Sequence, residues 1–181
     1  MPQEIDLLYA FGLPPEKAIA YFKAKGYAFT WDWHEMLGAA HDKAFTVAKV
    51  MNQDILDDIR AMVQKALDEG ISQHQFDKEL MPILQAKGWW GKINTENGVA
   101  QLGSPRRLKI IYQTNLATSY SAGRKEAFLE NAVDRPYWQY VAVHDAQTRP
   151  SHLALDGKVF PYDDPFWTLF GRPGIGAAGA E

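Results

Sequence analysis

Apolar residues recur at steps of three and four in two stretches of the first half of the chain. In the first stretch, residues 53–69, the repeating positions are Ile55, Ile59, Met62, Val63, Ala66 and Leu67. In the second, which follows a capping-box pair at Ser72 and Gln75, they are Phe76, Leu80, Ile83 and Leu84. A period near 3.6 residues is typical of amphipathic helices, so the pattern predicts a helical pair with Gly70 between its members.

The longest predicted helix begins at Ser104-Pro105 and extends to about Asn131, because serine caps a helix and proline suits its first turn. The helix contains small residues that would let another backbone approach closely: Ala117, Ser119, Ser121, Ala122 and Gly123. This helix also carries the candidate contacts to DNA phosphates or to a partner, Arg106, Arg107, Lys109, Arg124 and Lys125. A basic face that is merely solvated is the alternative interpretation.

After Pro136, in residues 137–143, large and smaller side chains alternate and aromatic and β-branched residues are frequent, which is typical of a half-buried strand. Asp156-Gly157 then predicts a hairpin-type turn into a second strand. The sequence therefore predicts an α+β fold, with a mainly helical N-terminal two-thirds and a small antiparallel β-sheet near the C-terminus. The predicted divisions are a helical portion at 1–91, a flexible loop at 92–103, a long helix plus small sheet at 104–173, and a flexible tail at 174–181.

Polar residues are densest between the two predicted C-terminal strands, at His144, Asp145, Thr148, Arg149, His152, Asp156 and Gly157. One hypothesis is a metal-dependent hydrolase centred on His144, Asp145 and His152, because imidazoles and carboxylates can hold a divalent ion that activates water. The hypothesis we favour is a structural polar lock. In it Arg149 bonds Asp145 or Asp156 through two parallel hydrogen bonds, and His152 bridges a backbone carbonyl to a carboxylate. We therefore predict no catalytic residue, no metal and no cofactor.

Composition narrows the function classes further. The formal net charge of −3 and the sequence pI near 5.9 give no overall cationic field, so any DNA contact would need a local basic patch. The absence of cysteine excludes disulfides and thiolate metal sites. No apolar run approaches the ~18 residues that a membrane-spanning helix needs. The expectation is a soluble protein made in a cytoplasm, with no membrane partner.

The polar stretch also resembles a known family signature, V-x-D-x-x-T-R-P-x-H-x-x-L-D-G-x-V-F followed by an acidic pair and P-F-W. The matching residues are Val143, Asp145, Thr148, Arg149, Pro150, His152, Leu155, Asp156, Gly157, Val159, Phe160, Asp163, Asp164, Pro165, Phe166 and Trp167. This is the signature of the Mu F-like minor head proteins of the phage head-morphogenesis group. Residues 11–18, 40–49 and 88–91 look similar too, so the resemblance covers most of the chain.

Two departures from the family pattern stand out. Family members commonly end in a Cys-Arg-Cys-like segment, whereas this chain has no cysteine. They also often carry Arg-Thr-Glu in the long helix, where this chain has Gln113-Thr114-Asn115. The first departure suggests a truncated or diverged end, and the second weakens any charge-dependent role for that helix.

The resemblance implies a structural, non-enzymatic minor capsid protein that is made in the bacterial host cytoplasm and resides in the phage head. Its implied partners are the portal protein, capsid or scaffold proteins and, as a further candidate, double-stranded DNA. Binding would use the basic helix and aromatic patches around Trp89, Trp90 and Trp167, with Trp31 and Trp33 as additional aromatic candidates.

Overall fold

The computed structural model describes residues 16–36, 40, 43–96, 98–142, 144–145 and 148–169. The helices are α1 (Glu16–Lys23), α2 (Gln53–Glu69), α3 (Gln73–Ala86), α4 (Pro105–Glu130), α5 (Pro150–Leu153) and α6 (Phe166–Leu169), with a 3-10 turn at Trp33–Glu35. The strands are β1 (Gly26–Tyr27), β2 (Ala44–Phe45), β3 (Lys92–Thr95), β4 (Gly98–Gln101), β5 (Tyr137–Gln139) and β6 (Val159–Pro161). β1 pairs with β2 in parallel, and the other two pairs are antiparallel. The predicted α+β fold is confirmed.

The predicted helical pair is present as α2 and α3, and local signals set its ends. The Asn52 side chain accepts a hydrogen bond from the Asp54 N–H at 2.9 Å, and Ser72 accepts one from Gln75 at 3.3 Å. Gly70 ends α2 at φ 67°, a left-handed conformation that glycine adopts without strain. The apolar rows of both helices are buried against each other, except that Ile83 remains 37% exposed.

Helix α4 is crossed at close range by α1, and we call the described residues of the range 16–130 the helical body. A Cβ atom added at Gly123 would lie 2.8 Å from the backbone nitrogen of Ala18, so only glycine permits this approach. The close backbone approach that the small residues of α4 predicted is therefore present at Gly123. At the end of the crossing, Lys17 of α1 forms an ion pair with Glu130. Near the other end of α4, Leu108 and Ile111 join the core that α2 and α3 share.

The predicted flexible loop at residues 92–103 is wrong. β3 and β4 form a hairpin there, in which Thr95 lies opposite Gly98 and the Thr95 hydroxyl donates to the Gly98 carbonyl at 2.7 Å. Gly98 has φ 109°, and an Asn-Gly pair between alternating residues is a strong hairpin signal.

We name the described residues of the range 131–169 the C-terminal module. Its sheet is the β5–β6 ribbon, in which Trp138 lies opposite Phe160. The strand predicted for residues 137–143 is shorter than expected, because regular pairing ends at Gln139. The predicted tail at 174–181 lies outside the described residues. Within the described part of the chain, no helix combines the length and the apolar character that crossing a membrane requires.

Candidate functional site

The carboxylate of Asp156 is the centre of the polar turn between β5 and β6. One oxygen, Oδ1, accepts the backbone N–H of Ala142 at 2.8 Å. The other, Oδ2, lies 2.8 Å from Nε2 of His144. The backbone N–H of Ala142 and, after it, the hydrogen bond from His144 lower the pKa of the Asp156 carboxyl. Asp156 therefore stays charged and holds the two sides of the turn together.

Tyr140 connects the turn to the ribbon. Its hydroxyl is hydrogen-bonded to Nδ1 of His152. Its backbone N–H donates to the Lys158 carbonyl, and its carbonyl accepts the Gly157 N–H, both at 2.8 Å. Gly157 has φ 77°, which explains why glycine suits this position. The pairing therefore continues one residue past β5 and then gives way to side-chain bonds.

Arg149 does not have the role that the polar-lock hypothesis gave it. Its guanidinium is exposed, and among the described residues it bonds neither Asp145 nor Asp156. The Asp145 carboxylate instead accepts the Thr148 hydroxyl at 2.8 Å. His152 bonds a tyrosine hydroxyl rather than a carboxylate. The hydrogen bonds of the Asp156 carboxylate involve Ala142 and His144 instead, because these lie next to it in the folded turn.

The residues of the hydrolase hypothesis do not converge on one point. His144 lies on Asp156 and His152 on Tyr140, so each imidazole has a different partner. In the part of the chain that the structure describes, no group of three or more histidine and carboxylate side chains is close enough to hold a metal ion. The arrangement fixes a turn, and nothing in it gathers the ligands that metal-assisted hydrolysis needs.

Aromatic rings fill the inner face of the ribbon. Phe160 stacks on Phe166 with ring centroids 3.9 Å apart, and Trp138 lies 5.7 Å from Trp167. Phe128, near the end of α4, contacts Trp138 at 5.9 Å and so links the module to the long helix. Trp167 is only 4% exposed, and its indole N–H donates to the Pro161 carbonyl at 2.8 Å. Trp167 thus supports the module from inside.

The five basic candidates of α4 fall into different environments. Arg106, Lys109 and Arg124 are exposed, and Lys125 is half-buried. Arg107 instead donates to the carbonyls of Ala48, Gln101 and Leu102 at 2.5, 2.9 and 3.1 Å. Burial lowers the pKa of its guanidinium, and its Cζ atom lies over the Trp89 ring, 4.9 Å from the ring centroid. We therefore leave Arg107 out of the candidate contact surface.

The two adjacent tryptophans also belong to the body. Trp89 is 4% exposed, and its indole N–H donates to the Lys49 carbonyl at 2.8 Å. Trp90 is half-buried beside Gly103, where an added Cβ would lie 2.5 Å from its ring. Trp31 is half-buried near Lys49, while nothing is described of the Trp33 side chain. Trp89 is therefore buried, and Trp90 and Trp31 are partly buried, so none of these three rings is fully exposed to a partner.

The sequence analysis missed an apolar surface on the outer side of the ribbon. We call it the outer ribbon face and define it by Tyr137, Val141 and Val159, which are 67%, 76% and 56% exposed. The signal was present, because residues 137–142 are apolar at both sets of alternating positions except for Gln139. When only one of the two apolar faces of a strand is covered, the other remains exposed to solvent.

Comparison with known proteins gives the family. Residues 57–177, which include α4 and the whole polar turn, match the family model described as Phage Mu protein F like protein. The chain belongs to this family. The resemblance seen in the signature residues is thereby confirmed.

Two relatives extend this similarity. The chain is 51% identical over 173 residues to a protein of Escherichia phage Mu with the provisional name capsid assembly protein F, covering 92% of this chain and 39% of that protein. It is 50% identical over 145 residues to the Mu-like prophage FluMu F protein of Haemophilus influenzae, covering 80% of this chain and 35% of that protein. The chain thus spans less than half the length of these relatives. No solved structure is significantly similar to it.

Proposed function

We propose that this chain is a structural component of a phage head that acts in head assembly, as the name of its phage Mu relative indicates for that protein. The observation that carries the proposal is the 51% identity to that relative, which extends over 92% of this chain. The site of action that we propose is the head, at the portal vertex, and the partners are portal, capsid or scaffold proteins.

The geometry of the polar turn supports a binding role rather than a catalytic one. One nitrogen of each histidine and both oxygens of Asp156 form hydrogen bonds at the end of the ribbon. A catalytic acid or base would need such an atom directed at a substrate. The outer ribbon face carries the exposed apolar area that a protein partner would cover.

DNA contact is a second part of the proposal, with its own supporting observation. Arg106, Lys109 and Arg124 are exposed on α4. Among the described residues none of the three forms an ion pair, so their charges are available to phosphates. Such contacts would weaken as salt concentration rises, because binding releases counterions from DNA.

Co-sedimentation with portal rings of the phage or prophage that encodes this chain tests the proposal. We expect binding that persists at high salt, because an apolar interface is screened little. Val141→Asp combined with Val159→Asp should abolish it. Val99→Asp is the matched control, since Val99 is 66% exposed on the β3–β4 hairpin of the body.

Each outcome bears on the proposal. Binding that disappears at high salt would indicate that the interface is formed by the basic residues of α4 and not by the outer ribbon face. Equal loss of binding in the control would show that the substitutions act through general solubility. Absence of binding at both salt concentrations would contradict the portal assignment.

A further inference from the structure

A shallow groove of about 280 Å³ lies between the end of α4 and the segment that follows β6. Trp138, Tyr162 and Trp167 form its aromatic wall. Asp163 and Asp164 stand on one rim, and Lys125 and Leu129 of α4 form the other. The groove therefore combines ring faces with carboxylates, and neither the polar turn nor the outer ribbon face uses it.

The aromatic wall is held in place before any ligand arrives. The Trp167 indole N–H donates to the Pro161 carbonyl, and the backbone N–H of Tyr162 donates to the Pro136 carbonyl, both at 2.8 Å. The rings of Tyr162 and Trp167 are tilted by 52° and 60° to the Trp138 ring, so the wall is not flat. A preformed groove costs little ordering entropy when it is filled.

The charges around the groove favour a cation. Its two aspartates and one lysine give a local charge of −1. Within the described ranges, neither Asp163 nor Lys125 makes an ion pair or a side-chain hydrogen bond, although both line the same groove. Asp164 is different, because its Oδ1 accepts the Phe166 N–H at 2.8 Å. Asp163 is thus the carboxylate that remains available to a ligand.

We propose that this groove binds an arginine side chain of a partner protein. The guanidinium stacks on the faces of Trp138 and Tyr162, and Asp163 accepts its N–H groups. Arginine fits better than lysine because its planar group can stack on a ring and bond a carboxylate at the same time. That the partner is another head protein rests on the proposed function, whereas the arginine site itself does not.

The Lys125 ammonium gives the proposal a second, sign-specific consequence. A cation in the groove is attracted by Asp163 and the ring faces and is repelled by Lys125. Removing the lysine charge should therefore tighten binding, whereas removing the aspartate charge should weaken it. An anionic ligand, such as a phosphate or a carboxylate side chain, would respond in the opposite way to both changes.

Titration of the full chain with N-acetyl-arginine amide tests the site, with the indole N–H resonance of Trp138 as the readout. N-acetyl-citrulline amide is the matched probe, because it has nearly the same shape but no charge. We expect saturable shifts with the arginine compound and none with citrulline. Asp163→Asn should weaken binding about threefold and Lys125→Gln should strengthen it about twofold, as is typical of single exposed charges.

Glu96→Gln, at the exposed turn of the β3–β4 hairpin, is the control variant and should leave the affinity unchanged. Equal shifts with arginine and citrulline would overturn the proposal, and so would stronger binding of N-acetyl-glutamate amide than of the arginine compound. The result is separable from the co-sedimentation experiment. If the chain binds the arginine compound but not portal rings, this inference stands and the portal assignment is refuted. If it binds portal rings but not the arginine compound, the portal assignment stands and this inference is refuted.

Discussion

The helical body and the C-terminal module are held together in different ways. In the body, apolar residues from α1, α2, α3 and α4 form one cluster in which Phe22, Phe76 and Leu108 are fully buried. Among the described residues of the module, the buried apolar side chains are only Ala132, Ala142 and Trp167. A two-stranded ribbon with so little buried area is marginal by itself. The module therefore depends on ring contacts and on the hydrogen bonds of the polar turn.

This difference assigns separate tasks to the two regions. The body contains the large apolar core, although single apolar residues such as Met51 and Val99 are exposed on its surface. The module exposes the outer ribbon face on one side and the aromatic groove on the other. Segments of low local stability are the ones that can adjust when a partner binds. The comparison therefore predicts that damage to the body lowers global stability, whereas damage to the polar turn loosens the module alone.

The largest expected effect is at Arg107. Changing Arg107 to Ala removes the donors of three backbone carbonyls, at Ala48, Gln101 and Leu102, together with the stacking on Trp89. We expect a loss of about 3 kcal/mol in the free energy of unfolding, measured by urea denaturation. Arg106→Ala is the matched control, because Arg106 is exposed and should change stability by less than about 0.5 kcal/mol. Equal effects of the two substitutions would show that the carbonyl contacts of Arg107 do not support the body.

Gly123→Ala tests the close crossing of α1 and α4. Alanine is favoured over glycine inside a helix by about 1 kcal/mol, so an open site would gain stability. Here the new Cβ would lie 2.8 Å from the Ala18 nitrogen, which forces the two helices apart. We expect a net loss of about 2 kcal/mol in thermal or urea unfolding.

The reverse substitution at an exposed position of the same helix, Ala117→Gly, is the control for Gly123→Ala. It should cost about 1 kcal/mol by propensity alone. A stabilised Gly123→Ala variant would contradict the crossing.

The helices could be predicted because their apolar periods and capping residues are local signals. The run of small residues ending at Gly123 even predicted the close crossing. The different environments of the adjacent arginines Arg106 and Arg107 could not be predicted from local signals. Arg106 and Arg107 differ only in which side of α4 they occupy, and the carbonyls that Arg107 bonds come from the distant segment around Ala48.

The candidate site was predictable as a location but not as a set of bonds. The dense polar residues between the two strands do lie in one turn, in which Asp156 is bonded to Ala142 and His144. The partner of Asp156 turned out to be a backbone N–H, at Ala142, and a backbone donor leaves no residue-specific trace in a sequence. The alternation in residues 137–143 predicts a half-buried strand but does not show which of its faces is covered, so the outer ribbon face was missed. In this sheet of two short strands, aromatic rings pack against only one face.

The third prediction concerns the module. Asp156→Ala should increase hydrogen exchange at the Ala142 amide and leave the global unfolding midpoint nearly unchanged, because the body does not contact this carboxylate. Asp156→Asn retains an oxygen that can accept from Ala142 and should have a smaller effect. The pKa of Asp156 is lower in the folded chain than its ordinary value of 3.8. Its stabilising effect is therefore complete above that value and is lost as pH falls through the lower, folded pKa.

The smallest expected effect is that of Arg149→Ala. This substitution distinguishes the observed turn from the predicted one, in which Arg149 pairs with a carboxylate. If Arg149 paired with Asp156, Arg149→Ala and Asp156→Ala would expose the Ala142 amide to exchange to a similar degree. Because the guanidinium is exposed and bonds no described residue, we expect Arg149→Ala to leave both exchange and the unfolding midpoint unchanged, within about 0.5 kcal/mol. Faster exchange in Arg149→Ala would restore the bidentate lock. Unchanged exchange together with lost portal binding would instead make Arg149 a contact to the partner, adjacent to the turn that supports it.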